Sequence, residues 1–140
     1  MSKYFERQLE ELHVQLITLG SYCEKAISFS AKAIQKVQNE EIARQVFETD
    51  RDIDAKEREI ENLCLKLFLT QQPVAGDMRN ISAALKMITD MERIGDHASD
   101  ISELTLRMAG TPYIKKLEHI QQMAKETIVM LVSSIEAYVN

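Results

Sequence analysis

Residues 72–103 read QPVAGDMRNISAALKMITDMERIGDHASDISE, and this stretch decides the architecture expected for the chain. It opens with Pro73 and Gly76, which favour a turn, followed by Asp77, a residue type that caps helix N-termini well. Side chains then recur at the three- and four-residue spacing of a helix face. This repeat continues through Ile81, Leu85, Ile88, Gly95, Ser99 and Leu106. The stretch therefore predicts a turn at residues 73–76 and a long helix capped by Asp77.

Three more segments carry the same helical spacing. The first predicts a helix over residues 3–38. Asn39 is suited to cap the second helix, which we expect to end near Gln72 because Pro73 disfavours helix in the residue before it. A break at residues 109–112 precedes a fourth helix. Its apolar stripe consists of Ile114, Leu117, Ile120, Ala124, Ile128, Leu131, Ile135 and Tyr138.

The connections between these helices predict how they are arranged. Short turns make neighbouring helices antiparallel, which predicts an all-α fold whose first three helices form an up-down-up bundle. When the chain is shifted by 101 residues, Leu16 meets Leu117 and Ile27 meets Ile128. We therefore expect residues 1–110 to form one three-helix repeat. Residues 111–140 would form the first helix of a second, incomplete repeat.

The composition is that of an ordinary globular protein. Of the 140 residues, 45% are hydrophobic and 28% are charged. The net charge of -5 argues against non-specific nucleic-acid binding, and no apolar run approaches the roughly 20 residues that a membrane span needs. The first twelve residues contain acids and no signal-like apolar core, so we expect a cytoplasmic protein without membrane insertion. Cys23 and Cys64 are expected to be reduced core thiols.

The second and third helices each carry three acids on one face, because the acids recur at spacings of three and four. They are Asp50, Asp54, Glu57, Glu92, Asp96 and Asp100. At about 100° per residue, the first three fall within about 80° of Val46 and the last three within about 100° of Ile81. The acids therefore lie on or beside the apolar stripes rather than on the solvated faces.

Folding this hairpin brings the two acidic sets level. If the helices turn at residues 74 and 75, residues whose numbers sum to about 150 lie at the same height in an antiparallel pair. Glu57 would then lie beside Glu92, Asp54 beside Asp96, and Asp50 beside Asp100. Buried carboxylates need neutralisation, and an oxygen-rich site suits a metal ion such as iron, zinc or manganese. Two alternatives stay open, a hydrated acidic groove and a salt-bridge network with Arg51, Arg58, Arg79, Lys86 and Arg93.

The stretch at residues 72–103 resembles the PhoU family, in which a QP-x-A-x-DLR opening leads into LERIGD-x-A-x-x-I-x-E. This chain has QPVAGDMR at residues 72–79, with Met78 where the family prefers Leu, and MERIGD at residues 91–96. The sequence ETDRDIDAKEREIE, at residues 48–61, resembles the acidic helix that precedes the family motif. The match covers the first three helices and, less distinctively, the fourth.

This resemblance implies both a site and a function. PhoU-like proteins consist of two three-helix repeats with an acid-x-x-x-Asp motif in each, and some members bind iron, zinc or other cations there. The resemblance assigns this role to Asp50, Asp54, Glu92, Asp96 and Asp100, whereas Glu57 rests on spacing alone. It also implies a regulator of phosphate homeostasis that holds the phosphate-starvation response off when phosphate is plentiful. The implied partners are the phosphate ABC transporter ATPase and a sensor histidine kinase, which would place the protein peripherally at the inner face of the membrane.

Enzymatic activity is not expected. The chain has no P-loop, no Gly-rich phosphate cradle and no nucleophile paired with a base. A ferritin-like di-iron enzyme would need a Glu-x-x-His motif on each of two helices, and only Glu10 and His13 supply one. A helical scaffold without metal is the other alternative.

The fourth helix lacks the helices that would complete its own repeat. We therefore expect its stripe to pack on another copy of the chain or on the first bundle folded back, and the chain to form a dimer or higher oligomer. Two glycines lie inside predicted helices. Gly95 is expected to permit close helix approach beside the acids, and Gly20 either bends the first helix or admits a neighbour.

Overall fold

The computed structural model describes residues 3–35, 39–70, 73–113 and 117–140, and these residues form four α-helices. Helix α1 spans Lys3–Gln35, α2 spans Glu40–Thr70, α3 spans Ala75–Arg107 and α4 spans Ile120–Val139. Within these four described ranges there is no strand. The predicted all-α class is therefore confirmed.

The first three helices bury their apolar stripes in one common core. Helices α1, α2 and α3 each pack against the other two, which confirms the predicted up-down-up bundle. The large side chains that are fully buried include Leu12, Leu16, Leu19, Ile53, Ile60, Leu67, Ile81 and Ile88. Each such burial is worth roughly 1.5–3 kcal/mol. Cys23 and Cys64 lie in this core as free thiols, as predicted.

The connection between α1 and α2 carries the predicted helix cap. The backbone N–H of Ile42 donates to Asn39 Oδ1 at 3.1 Å, so Asn39 satisfies one of the free donors at the start of α2. Glu40 and Glu41 lie in the first turn, where negative charge is favourable to the helix dipole. The predicted ends of the first two helices, at residues 38 and 72, lie outside the described residues.

The start of α3 differs from the prediction, which took residues 73–76 as a turn and Asp77 as the cap. Helix α3 begins at Ala75, with Val74 as an extended N-cap residue, and the Met78 N–H donates to the Val74 carbonyl at 2.9 Å. A glycine in a helix costs only about 1 kcal/mol relative to alanine, so Gly76 does not stop the helix. Asp77 instead lies in the first turn, where its charge still favours the helix.

The break between α3 and α4 is confirmed. Helix α3 ends at Arg107, and the Met108 N–H donates to the Leu104 carbonyl at 3.0 Å. Gly110 follows with a φ of 82°, in the left-handed region that glycine adopts without steric cost. The chain can therefore reverse direction here and return along the bundle.

Helix α4 begins later than predicted. The predicted stripe began at Ile114, which lies outside the described residues, and Leu117 is described but lies before the helix. The Leu117 carbonyl accepts a hydrogen bond from Gln35 Nε2 at 3.0 Å. The Tyr113 hydroxyl donates to the Ile34 carbonyl at 2.8 Å. These two hydrogen bonds connect the described residues before α4 to α1, and α4 itself starts at Ile120.

Helix α4 folds back on α1 and runs antiparallel to it. It buries Leu131 and Ile135, and a Cβ added at Gly20 of α1 would overlap Ile135 Cδ1. Of the two roles predicted for Gly20, the structure therefore supports the second: the glycine leaves room for Ile135 of a neighbouring helix. Near the C-terminal end of α4, the Tyr138 hydroxyl donates to the Asn80 carbonyl of α3 at 2.8 Å, which links this end of the helix to the bundle.

The division of the chain into residues 1–110 and 111–140 stays a prediction. Packing of α4 on α1 is compatible with a further helix of the first bundle as well as with the start of a second repeat. None of the described helices is long and apolar enough to cross a membrane.

Candidate metal centre

The acidic faces of α2 and α3 lie against each other on one side of the bundle. On α2, Asp50, Asp54 and Glu57 are half-buried and alternate with the fully buried Ile53 and Ile60. The acids are held at this depth because the helical repeat that carries the apolar residues into the core also turns the acids toward α3. On α3, Glu92 is half-buried, whereas Asp96 and Asp100 are exposed.

Two groups of three carboxylates come close enough to hold a metal ion. Asp50, Asp54 and Asp96 can place one oxygen each within 4.8 Å of one another, and so can Asp54, Glu57 and Glu92. Asp54 belongs to both groups and joins them. Asp54 beside Asp96 and Glu57 beside Glu92 are the neighbours that the antiparallel arrangement predicted.

Asp100 belongs to neither of these groups. Its charge acts on Asp50, as expected for two acids at a similar height, but Asp100 completes neither group of three carboxylates. Asp100 is one turn further along α3 than Asp96 and is exposed. Its role as a ligand stays a prediction with less geometric support than that of the other five acids.

Among the described residues, the six acids take part in none of the ion pairs, although the positive charge of Arg58 acts on Glu57. Over the described ranges, the ion pairs are those of Lys56 with Glu59, Arg93 with Asp90, and Arg107 with Glu103. Arg93, one of the predicted counter-charges, thus pairs with a different acid at 3.8 Å. The predicted salt-bridge network is therefore not formed around the two groups.

Two carboxylate oxygens at the centre of the site have no hydrogen-bond donor. Asp50 Oδ1 and Asp54 Oδ1 are both shut off from solvent and have no partner among the described residues. A buried charged oxygen without a partner costs free energy unless something satisfies it. A cation bound by both groups would do so, whereas a hydrated groove would not leave these two atoms inaccessible.

The electrostatic environment of the site favours a bound cation. Burial, a hydrogen bond shared with Asp96 and the charges of the neighbouring carboxylates raise the pKa of Glu92 to about 7. Burial also raises the pKa of Asp50, opposed by the hydrogen bond that Ser99 donates. Both shifts arise because negative charges are gathered in a partly desolvated place, and a metal ion there would reverse them.

Gly95 and Ser99 form the part of α3 that meets Asp50. A Cβ at Gly95 would lie 2.5 Å from Asp50 Oδ1 and 3.0 Å from Ile53 Cδ1, so the close approach needs glycine, as predicted. The Ser99 hydroxyl donates to Asp50 Oδ2 at 2.9 Å. Ser99 was not predicted as part of the site. Its spacing of three residues from Asp96 was the available signal, because it places both on one helix face.

Thiols and imidazoles do not join the carboxylates. Burial, with the charge of Asp50, raises the pKa of Cys23 to about 12, and its S–H donates to the Met91 carbonyl at 3.3 Å. The ring of His13 packs edge-on against Tyr138 at 5.4 Å and belongs to neither group, which disfavours the ferritin-like alternative. The donor set is thus made of carboxylate oxygens and fits a hard or borderline cation.

Comparison with known proteins places the chain in a family. Residues 16–105 match the model of the PhoU domain, which includes all of α2, most of α3 and all six acids. The chain belongs to the PhoU family. A PhoU homolog of Clostridium acetobutylicum, named as a phosphate-specific transport system accessory protein, is 41% identical over 139 residues. A PhoU homolog of Aquifex aeolicus with the same name is 33% identical over 134 residues.

The match extends over nearly all of this chain but only part of each relative. It covers 99% of this chain and 63% of the Clostridium PhoU homolog, and 96% and 60% for the Aquifex one. The crystal structure of PhoU from Pseudomonas aeruginosa superimposes with a TM-score of 0.90 at 26% identity, over 96% of this chain and 65% of that one. The PhoU names describe accessory proteins rather than enzymes, in agreement with the predicted lack of catalysis.

Proposed function

We propose that this chain regulates phosphate uptake and the phosphate-starvation response, and that it binds a metal ion between the acidic faces of α2 and α3. The regulatory part is supported by membership of the PhoU family and by the names of its relatives, which are accessory proteins of a phosphate-specific transport system. The metal part is supported by the geometry of the acids. The chain acts as a regulator and not as an enzyme.

One observation carries the metal proposal, namely that Asp50 Oδ1 and Asp54 Oδ1 are both buried without a hydrogen-bond donor. The charge of the surrounding carboxylates is left without an ion pair among the described residues. A divalent or ferric ion would both bind the two unpartnered oxygens and balance the negative charge of the carboxylates. Iron, manganese and zinc all accept carboxylate oxygens, and the all-oxygen donor set favours iron and manganese.

Regulation would act through contact between proteins. We take the ATPase of the phosphate ABC transporter and a sensor histidine kinase as the partners, on the strength of the family resemblance. The protein would then work in the cytoplasm, held peripherally at the inner face of the membrane by these partners. When phosphate is plentiful, it would hold the starvation response off.

Self-association is the remaining part of the proposal. Helix α4 buries only two side chains, Leu131 and Ile135, and leaves several large apolar side chains exposed. These are Met123, Val129, Met130 and Val132. At about 100° per residue these four side chains are spread over the solvent-exposed side of α4, which we call its outer face. Apolar side chains left in water favour association, so we propose a homo-oligomer in which the outer faces of α4 pack together.

The metal proposal is tested by removing one ligand from each helix. In the Asp54→Ala, Asp96→Ala double variant, we expect no bound iron, zinc or manganese after purification without chelator, while helicity measured by circular dichroism is unchanged. The matched control is Asp90→Ala with Glu103→Ala, which removes the same charge from exposed acids of α3. If the first variant binds metal as well as the parent, the site lies elsewhere or does not exist.

The regulatory proposal is tested in cells. Deleting the gene should raise the expression of phosphate-starvation genes in phosphate-rich medium, and restoring it should lower that expression again. Restoring the Asp54→Ala, Asp96→Ala variant should fail to lower it. Unchanged expression after deletion would remove the regulatory function while leaving the metal site to its own test.

A further inference from the structure

Ser99 makes a hydrogen bond that differs from those of other hydroxyl side chains on its helix. Thr89 and Thr105 of α3 each donate to the backbone carbonyl four residues earlier, at 3.1 Å and 2.9 Å. This local bond is the common one for Ser and Thr inside helices. Ser99 instead donates to Asp50 Oδ2 on α2 at 2.9 Å. Its hydroxyl therefore acts on another helix and on a carboxylate of the acidic site.

Both oxygens of the Asp50 carboxylate are placed by α3. Ser99 binds Oδ2, and Gly95, one turn earlier, leaves the space that Oδ1 needs, since a Cβ there would lie 2.5 Å from it. The terminal torsion of an aspartate is broad, so a carboxylate without such contacts can rotate. Here one oxygen is held by a donor, and the other lies buried in the site without one.

We infer that Ser99 is a positioning residue of the metal site, which holds the Asp50 carboxylate toward Asp54 and Asp96. This inference rests on the proposed metal function. Groups that hydrogen-bond to metal ligands orient them, and the loss of such a group costs about 10–100-fold in metal affinity. The Ser99 hydroxyl donates to Asp50 Oδ2, so in this proposal it acts through Asp50 rather than on the ion itself.

The test compares three variants of the full chain by calorimetric titration with Mn²⁺, Zn²⁺ and, under anaerobic conditions, Fe²⁺. Ser99→Ala removes the hydroxyl and should weaken binding on the order of tenfold or more. Ser99→Thr keeps a hydroxyl on the same carbon and should recover most of the affinity. Ser134→Ala is the matched control, because Ser134 is exposed and donates only to the Met130 carbonyl of its own helix.

A second measurement separates positioning from stability. Circular dichroism and urea unfolding in the presence of chelator should show that Ser99→Ala and Ser99→Thr are both fully folded under the conditions of the titration, so that a difference in affinity does not come from unfolded chain. Parent-like affinity of Ser99→Ala, or equal weakness of Ser99→Thr, would overturn the role of Ser99 while leaving metal binding intact. If the parent binds none of the three ions, both the role of Ser99 and the proposed metal function are wrong.

Discussion

Gly95 lies on the face of α3 that packs against Asp50 and Ile53 of α2. Its spacing within the acidic helix predicted a close helix approach, and the two distances to a Cβ at this position explain why. Gly76 lies in the same helix but has no atom within 4 Å of such a Cβ. A substitution at Gly95 therefore tests whether a Cβ has room there, whereas the same substitution at Gly76 changes only the backbone entropy of the unfolded chain.

We expect Gly95→Ala and Gly76→Ala to change stability in opposite directions. Gly95→Ala should lower the free energy of unfolding by about 1–3 kcal/mol, because the methyl group must displace Asp50 or Ile53. Gly76→Ala should raise it by about 0.4–1 kcal/mol, because alanine loses less backbone freedom on folding. Urea unfolding followed by circular dichroism, without metal, measures both. Equal effects of the two substitutions would show that α2 and α3 are not in close contact at Gly95.

Glu92 makes the stability of the metal-free protein depend on pH. Its pKa is raised from 4.5 to about 7, so between these values the folded chain binds more protons at this residue than the unfolded chain. Stability then falls as pH rises, because the slope follows the protons bound in the unfolded state minus those bound in the folded state. The contribution of Glu92 is therefore complete below pH 4.5 and is lost as pH rises through about 7.

The Glu92→Gln variant measures this contribution. In chelator, the difference in unfolding free energy between the parent and Glu92→Gln should shift in favour of the variant as pH rises from 5 to 8. Glu103→Gln, which removes an exposed acid of the same helix, should show little such shift. A parent that gains stability over Glu92→Gln with rising pH would show that the Glu92 carboxylate is stabilised in its charged form.

At the scale of the helices, local periodicity was sufficient to place the acids. The spacing of Asp54 and Asp96 within their stripes predicted that they would meet, because helix geometry converts spacing directly into direction. The N-cap of α3 was predicted at Asp77, three residues after Val74, because Gly76 was assigned to the turn. Ser99 was missed although its spacing placed it on the face of Asp96, because its role depends on which side chain of α2 lies opposite.

The position of α4 is a second feature that sequence spacing alone could not predict. Its stripe predicted a helix with two places to pack, and local spacing could not choose between them. The choice of α1 depends on contacts between distant residues, namely Gly20 with Ile135 and Gln35 with the Leu117 carbonyl. The segment before α4 is also tied to α1 by distant contacts, since Gln35 donates to the Leu117 carbonyl and the Tyr113 hydroxyl donates to the Ile34 carbonyl.

Tyr138 allows the attachment of α4 to be measured. Tyr138→Phe removes the hydroxyl that donates to the Asn80 carbonyl and should lower stability by about 0.5–1.5 kcal/mol. Amide hydrogen exchange should become faster near the C-terminal end of α4 than in the core helices. Tyr4→Phe is the control, because Tyr4 is 47% exposed. Unchanged exchange in α4 would mean that this hydrogen bond does not hold the helix.

At the scale of the whole molecule, the acidic site and the outer face of α4 lie on different helices. The acids belong to α2 and α3, whereas α4 packs on α1. We propose that metal binding and self-association are therefore separate properties of the chain. Substitutions that remove metal should leave the oligomeric state unchanged, and substitutions on the outer face of α4 should leave metal binding unchanged.

The outer face of α4 predicts the oligomeric state. Val129 and Met130 are 62% and 66% exposed, and burying an aliphatic side chain is worth roughly 1.5–3 kcal/mol. Light scattering should therefore find a dimer or higher oligomer for the parent, and Val129→Glu with Met130→Glu should shift it to monomer at the same concentration. Gln122→Glu with Ser133→Glu adds the same charge at exposed polar positions of α4 and should leave the oligomer intact. A parent chain that is a monodisperse monomer would show that these side chains remain in water.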